Sequence, residues 1–174
     1  QEIIDTYNNP KLITLDEMPG WNSFCAFDGM VAPVPGLIEA EDFGICGEGE
    51  SYHDSDAINV PAYYRQDVGV DIDTLDPGGY YITDIVSGEW IGYPVQIEAT
   101  ATYSLKMGLA SDMDNRKFHL ELYGVDISGP INVPNTGGLM EWDTINLPLG
   151  LLSAGQKALG VVMDSGSFSI DFLE

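Results

Sequence analysis

Short segments in which apolar and polar residues alternate one by one, closed by glycine, proline or acidic turns, recur along this chain from residue 37 to residue 173. A period of two is that of a strand with one buried face, whereas apolar residues three and four apart would mark a helix. The alternation predicts strands at 37–41, 68–73, 79–86, 89–98, 102–110, 117–123, 141–147, 157–164 and 167–173, with no helix between them. So many short strands bury their apolar sides by facing one sheet against another. The expected fold is all-β: a two-sheet antiparallel β-sandwich of jelly-roll type with a short N-terminal extension. Residues 1–36 differ in character and end in APVPG, which reads as a linker, so the expected division is 1–36 for the N-terminal segment and 37–174 for the sandwich.

The length of 174 residues and the 44% hydrophobic content suit one core, and no stretch of 18 apolar residues is present to span a membrane. No signal peptide is visible, and the start at Gln1 is that expected of a mature or excised chain. A formal charge of −22, with only six Lys and Arg, argues against binding to nucleic acid or to anionic membranes, since phosphates would be repelled over nearly every face. The same acidity supplies hard oxygen ligands of the kind Ca²⁺ takes. Cys25 and Cys46 are too few for a disulfide scaffold and lack zinc-site spacing, which leaves one structural disulfide or two buried thiols.

The phase of the alternation assigns faces. In GEWIGYPVQI the inward set is Ile91, Tyr93, Val95 and Ile97, which puts Trp90 on the opposite face, either exposed there or packed beneath the N-terminal segment. In SFSIDFL the inward set is Phe168, Ile170 and Phe172, with Ser169 and Asp171 on the other side. In LIEAED, Glu39 and Glu41 share one face, and paired carboxylates on a strand repel unless solvated or bridged by a cation. Ca²⁺ joining Glu39, Glu41 and Asp171 is the resulting expectation, against an acid cluster filled by water and sodium. Arg65 is expected in an ion pair with a nearby aspartate, and one of Tyr63 and Tyr64 in loop packing. His53 and His119 lack metal-ligand spacing and receive no role.

In order along the chain stand IEAEDF (Ile38 to Phe43), YR at Tyr64 followed by VDI ending at Ile72, GGY (Gly78 to Tyr80), GEWIGYPV (Gly88 to Val95) and YSLKMGLAS (Tyr103 to Ser111). VPNTGG (Val133 to Gly138), Trp142, LSAG (Leu152 to Gly155) and FSIDFL (Phe168 to Leu173) continue the series. This ordered set resembles a family 6 carbohydrate-binding module, a non-catalytic, galactose-binding-like β-sandwich appended to extracellular glycoside hydrolases. The resemblance implies a structural Ca²⁺ on Glu39, Glu41, Asp171 and a main-chain carbonyl near Tyr80.

The family's end cleft grips a sugar between two aromatic side chains and an asparagine, an arrangement that matches the polarised C–H face of a pyranose to an aromatic ring. At the matching positions this chain carries Asp84, Leu139 and Ser169, so all three usual contacts are altered. Substitutes would come from Tyr52, Tyr63 and Tyr64 in the long loop. A second family site, on the concave sheet face, has a tryptophan that corresponds to Trp90.

Twenty-eight acids make some carboxylate pair inevitable, so acidity alone says nothing for a two-carboxylate glycosidase. No G-x-S-x-G, H-E-x-x-H or phosphate loop is present. The chain is therefore read as a non-catalytic, monomeric, secreted module that targets an appended glycoside hydrolase to a plant or algal polysaccharide. The other reading is a structural module whose sugar binding has decayed. YNNPKLITLDEMP (Tyr7 to Pro19) is loosely similar to the closing portion of a barrel-type glycoside hydrolase, which would place a catalytic domain upstream in the same chain; an interdomain linker is the alternative.

Overall fold

The structure, a computed structural model, describes residues 25–174, and the expectation for residues 7–19 lies outside them. A short 3-10 turn at Phe27–Gly29 precedes β1 (Ala32–Val34), β2 (Ile38–Glu39), β3 (Tyr52–His53), β4 (Ile72–Thr74), β5 (Tyr80–Ile82) and β6 (Trp90–Ile97). Then come β7 (Ala101–Ser111), β8 (Arg116–Leu122), β9 (Val125–Asp126), β10 (Ile131–Val133), β11 (Gly138–Leu152), β12 (Gly155–Ser165) and β13 (Ser169–Leu173). One sheet runs β1-β6-β12-β8-β10, with β3 on β6 and β9 on β8; the other runs β11-β7-β13-β5-β4, with β2 on β13. Pairing is antiparallel except at β1, which lies parallel to β6 with Ala32 opposite Val95.

The two sheets form the expected sandwich, and the alternation of β6 is the clearest case. Ile91, Tyr93, Val95 and Ile97 are at most 2% exposed. Ile91, Tyr93 and Val95 meet Met107 and Leu109 of β7, Phe118 and Leu120 of β8, Val161 and Met163 of β12, and Ile170 of β13 in one core.

Two local departures shift the phase. The register slips between Ile170 and Leu173, and this bulge carries Leu173 into the core at 1% exposure while Phe172, expected inside, is half-buried. Phe172 lies instead against Gly108, where an added Cβ would sit 2.7 Å from its ring. In the second case β2 ends at Glu39 and the chain turns, with the Asp42 amide donating to the Glu39 carbonyl at 3.1 Å. Glu39 is exposed and Glu41 buried, so they do not share a strand face as the alternation proposed.

The segment before Gly36 is joined to the sandwich wherever it is described. Besides β1, Cys25 and Cys46 form a disulfide across 21 positions, and the Ile45 amide donates to the Cys25 carbonyl at 2.8 Å. The reading of residues up to 36 as a linker is thus corrected for 32–34, which are a strand. Closing a loop of that length removes chain entropy from the unfolded state. Replacing both cysteines with alanine is expected to cost about 3 kcal/mol, read as a lower midpoint in urea with a somewhat steeper slope, because the unfolded chain freed of the cross-link exposes more surface.

Candidate functional site

The three altered cleft positions converge at one end of the sandwich. Ser169 opens β13 opposite Ala110, the adjoining Ser111 pairs with Gly138 at the start of β11, and Thr83 and Asp84 follow directly on β5. Ser169 is fully buried and its hydroxyl donates to Thr83 Oγ1 at 3.2 Å, so it ties β13 to β5 and is not presented to a ligand. Asp84 is exposed, with left-handed backbone at φ 52°. Leu139 is half-buried in a bulge, where the register jumps from Gly138–Ser111 to Trp142–Ala110. Met140 beside it is exposed, as are Met113 two residues after Ser111 and Val86 two residues after Asp84.

Two buried polar residues, unread in the sequence, hold this end together. Glu89 is 5% exposed and its carboxylate accepts the Ser55 amide at 2.9 Å and the Val86 amide at 2.8 Å, joining the long loop to the turn before β6. Asn59 donates to the Tyr64 and Arg65 carbonyls at 3.0 and 3.2 Å and accepts the Ile72 amide at 3.1 Å. Only their burial distinguishes them from the other polar residues around them. Trp142, quoted for its place in the motif series, meets the buried Tyr81 edge-on at 5.2 Å on the outer side of the second sheet.

The loop tyrosines do not gather at the cleft. Tyr52 is 4% exposed, edge-on to Phe43 at 5.4 Å, with its hydroxyl accepting the Gly69 amide at 3.2 Å; it is a core residue and no substitute gripping ring. Tyr64 is half-buried and stacks on Tyr80 at 4.4 Å and 16°. Tyr80 stands four residues before Asp84, about 13 Å away along extended backbone. Tyr63 is 60% exposed. Trp90, also half-buried, heads β6 between His53 of β3 and Val162 of β12, with His119 of β8 next in the row. His119 lies between Asp164 at 2.8 Å and Glu121 at 3.2 Å. Burial pulls its pKa down, but these two carboxylates outweigh it and the net shift is upward.

A separate cluster surrounds the turn after β2. The Ala40 amide donates to the Asp171 carbonyl at 2.9 Å, which brings Asp171 to the stretch that carries Glu39 and Glu41. Glu41 is 5% exposed, and its Oε2 has no hydrogen-bond partner. Burial first, then repulsion from Asp42, Glu39 and Asp171, pushes its pKa up to about 8. Glu39 is raised by burial and by Asp171 and Asp42, and Asp171 by burial. Tyr80 is linked to this turn through Tyr64, whose hydroxyl donates to Asp42 at 3.1 Å. Among the described residues Arg65 makes no ion pair, contrary to the sequence reading; it donates to the carbonyls of Glu41, Phe43 and Gly44. A buried, unpartnered carboxylate oxygen among other acids is chemistry that suits a hard cation. Among the described residues no three His, Cys, Asp or Glu side chains form a ready cage, so a cation here would need main-chain oxygens as well.

Comparison with known proteins places this geometry. The sequence profile of the carbohydrate binding module (family 6) matches residues 62–173. The clotting factor G alpha subunit of Tachypleus tridentatus is 26% identical over 140 residues, 79% of this chain and 19% of that protein. The C-terminal family 6 module of LamC, a marine laminarinase from Zobellia galactanivorans, superposes with a TM-score of 0.62 at 25% identity, over 79% of this chain and 95% of that module. A β-1,3-glucan-binding family 6 module from Bacillus halodurans does so with a TM-score of 0.61 at 22% identity, over 83% of this chain and 97% of that one. A sandwich of this topology, with the profile matched over most of its length, makes the chain a member of carbohydrate-binding module family 6, whose modules bind carbohydrate and are generally non-catalytic.

Proposed function

We propose that this chain holds a neutral β-glucan, of the β-1,3-linked kind, on the sheet face headed by Trp90, and delivers it to a glycoside hydrolase domain of the same secreted, monomeric protein. The observation that carries the choice of face is the fate of the alternatives. Ser169 and Tyr52 are buried, whereas Trp90 is half-buried at the head of β6, in a row with the exposed His53 and the half-buried His119. An indole face stacks on the C–H face of a pyranose, and flanking polar groups set its orientation. The β-1,3-glucan is suggested by what the LamC enzyme acts on and by the ligand named for the Bacillus module. A charge of −22 argues for a neutral glycan over a sulfated or uronate one. The disulfide supports an oxidising, extracellular setting.

A decayed module is the second reading, favoured by the absence of aromatic side chains at Asp84 and Leu139. Affinity electrophoresis against laminarin, mixed-linkage β-glucan, xylan, mannan and agarose separates the two. Retardation on laminarin that Trp90→Ala weakens at least about tenfold is expected, a loss typical of a central stacking residue. No retardation on any glycan would leave the decayed module standing. Loss in Leu139→Ala or Asp84→Ala with Trp90→Ala unaffected would move the site to the end cleft.

The proposed structural cation is Ca²⁺, held by Glu39, Glu41, Asp171 and main-chain oxygen near Tyr80; it would neutralise carboxylates that otherwise repel one another. Without metal, Glu41 in the folded chain titrates at about 8, against 4.5 ordinarily, and Glu39, Asp42 and Asp171 shift the same way. The folded state then binds more protons than the unfolded state across that window, so stability falls as pH rises. In EDTA the melting temperature is expected to drop between about pH 5 and about pH 8, and saturating Ca²⁺ to raise it most at the alkaline end. A flat pH profile with no response to Ca²⁺ would refute the site.

A further inference from the structure

Arg65 is one of only two arginines in a chain with 28 acidic residues, yet its guanidinium is directed at main-chain carbonyls. Nη1 donates to Glu41 O at 2.9 Å and Phe43 O at 2.7 Å, and Nη2 to Gly44 O at 2.9 Å. The group lies over the Phe43 ring at 3.8 Å and near Phe27 at 5.5 Å, which fixes its plane. Its own backbone is left-handed at φ 45°, and Asn59 and the Val68 amide both hydrogen-bond its carbonyl. Tyr64, the preceding residue, donates to Asp42. Two consecutive residues of the long loop therefore grip the turn that carries Glu39, Glu41 and Asp42.

That turn is where a grip is needed. Repulsion among Glu39, Glu41, Asp42 and Asp171 favours a turn that opens and hydrates the buried Glu41 carboxylate, and three charge-assisted bonds to carbonyls on either side of Asp42 oppose the opening. A planar fork can span three carbonyls; a lysine ammonium of the same charge cannot hold that plane or stack equally on Phe43.

We propose that Arg65 is a positioning residue for the cation site, holding the Glu41–Gly44 backbone so that the Glu41 carboxylate stays buried and ready to bind metal before the ion arrives. The inference rests on the Ca²⁺ reading above and adds a residue that touches no metal. Supporting groups of this kind typically carry about 10- to 100-fold in metal affinity.

The test is calorimetric Ca²⁺ titration of the wild-type chain, R65K, R65M and E41Q, with Tb³⁺ luminescence as a second probe. Each variant is first shown to be folded by near-ultraviolet circular dichroism at the titration temperature. The expected result is loss of binding in E41Q and binding weakened by at least about tenfold in both R65K and R65M, with faster amide exchange at Gly44 and Ile45 but not at Leu120 or Met163. Rescue by R65K would show that charge alone suffices and would overturn the positioning role, as would wild-type affinity in R65M. If R65K does not fold, F27L removes one ring against the guanidinium and nothing from the core; unchanged affinity in F27L overturns the proposal equally. A wild-type chain that binds neither Ca²⁺ nor Tb³⁺ brings down the metal reading and this inference together.

Discussion

Tyr93 stands in the middle of β6 with its ring buried between the sheets and its hydroxyl donating to the Ala40 carbonyl at 2.9 Å. The molecule depends on what that side chain represents: alternate residues of β6 must be removed from water, and only the facing sheet can do it. Once Ile91, Tyr93, Val95 and Ile97 point inward, Trp90 must point outward, and the Tyr93 hydroxyl must find an acceptor in the core or carry a desolvation cost. It finds one between Glu39 and Glu41. Burial of the core and placement of the acidic turn are thereby coupled.

Electrostatics then sets a second layer. Acids outnumber bases by 28 to 6, and among the described residues only two acids, Glu41 and Glu89, are buried; they mark the places where the fold needs them. Glu89 satisfies two amides and behaves as a structural anion. Glu41 has an oxygen left over, close to Glu39, Asp42 and Asp171. One buried carboxylate is compensated by hydrogen bonds, and the other keeps an unpartnered oxygen among acids, which is the feature behind the proposed cation site.

The end of the sandwich shows how a shared scaffold is re-dressed. Strand ends bring Thr83, Asp84, Ser111, Leu139 and Ser169 together whatever their side chains, because ladder pairing of β5, β7, β11 and β13 decides their position. What occupies those positions here is a buried hydroxyl pair, an exposed acid and a half-buried leucine. The loop that could have supplied aromatic rings is drawn elsewhere, Tyr52 into the core and Tyr64 onto Tyr80. The scaffold fixes where a ligand can be met, and the loop side chains decide whether it is.

The sequence alone determined the long strands and the sandwich, since alternation is a local record of which face is buried, and β6 could be read residue by residue. It also identified Trp90 as outward-facing, and the likeness of IEAEDF and FSIDFL to a known family drew Glu39, Glu41 and Asp171 together. It did not show β1, β3, β9 or β10, whose two or three residues are too few to establish a period. It misplaced Phe172, because a bulge moves the phase by one without any local sign. The Cys25–Cys46 bond, the burial of Ser169 and Tyr52, the unpartnered oxygen of Glu41 and the grip of Arg65 on three carbonyls were decided by tertiary structure. Each depends on residues far apart in sequence meeting in a place where water is excluded, and exclusion of water is a property of the packed whole that no short window of residues contains.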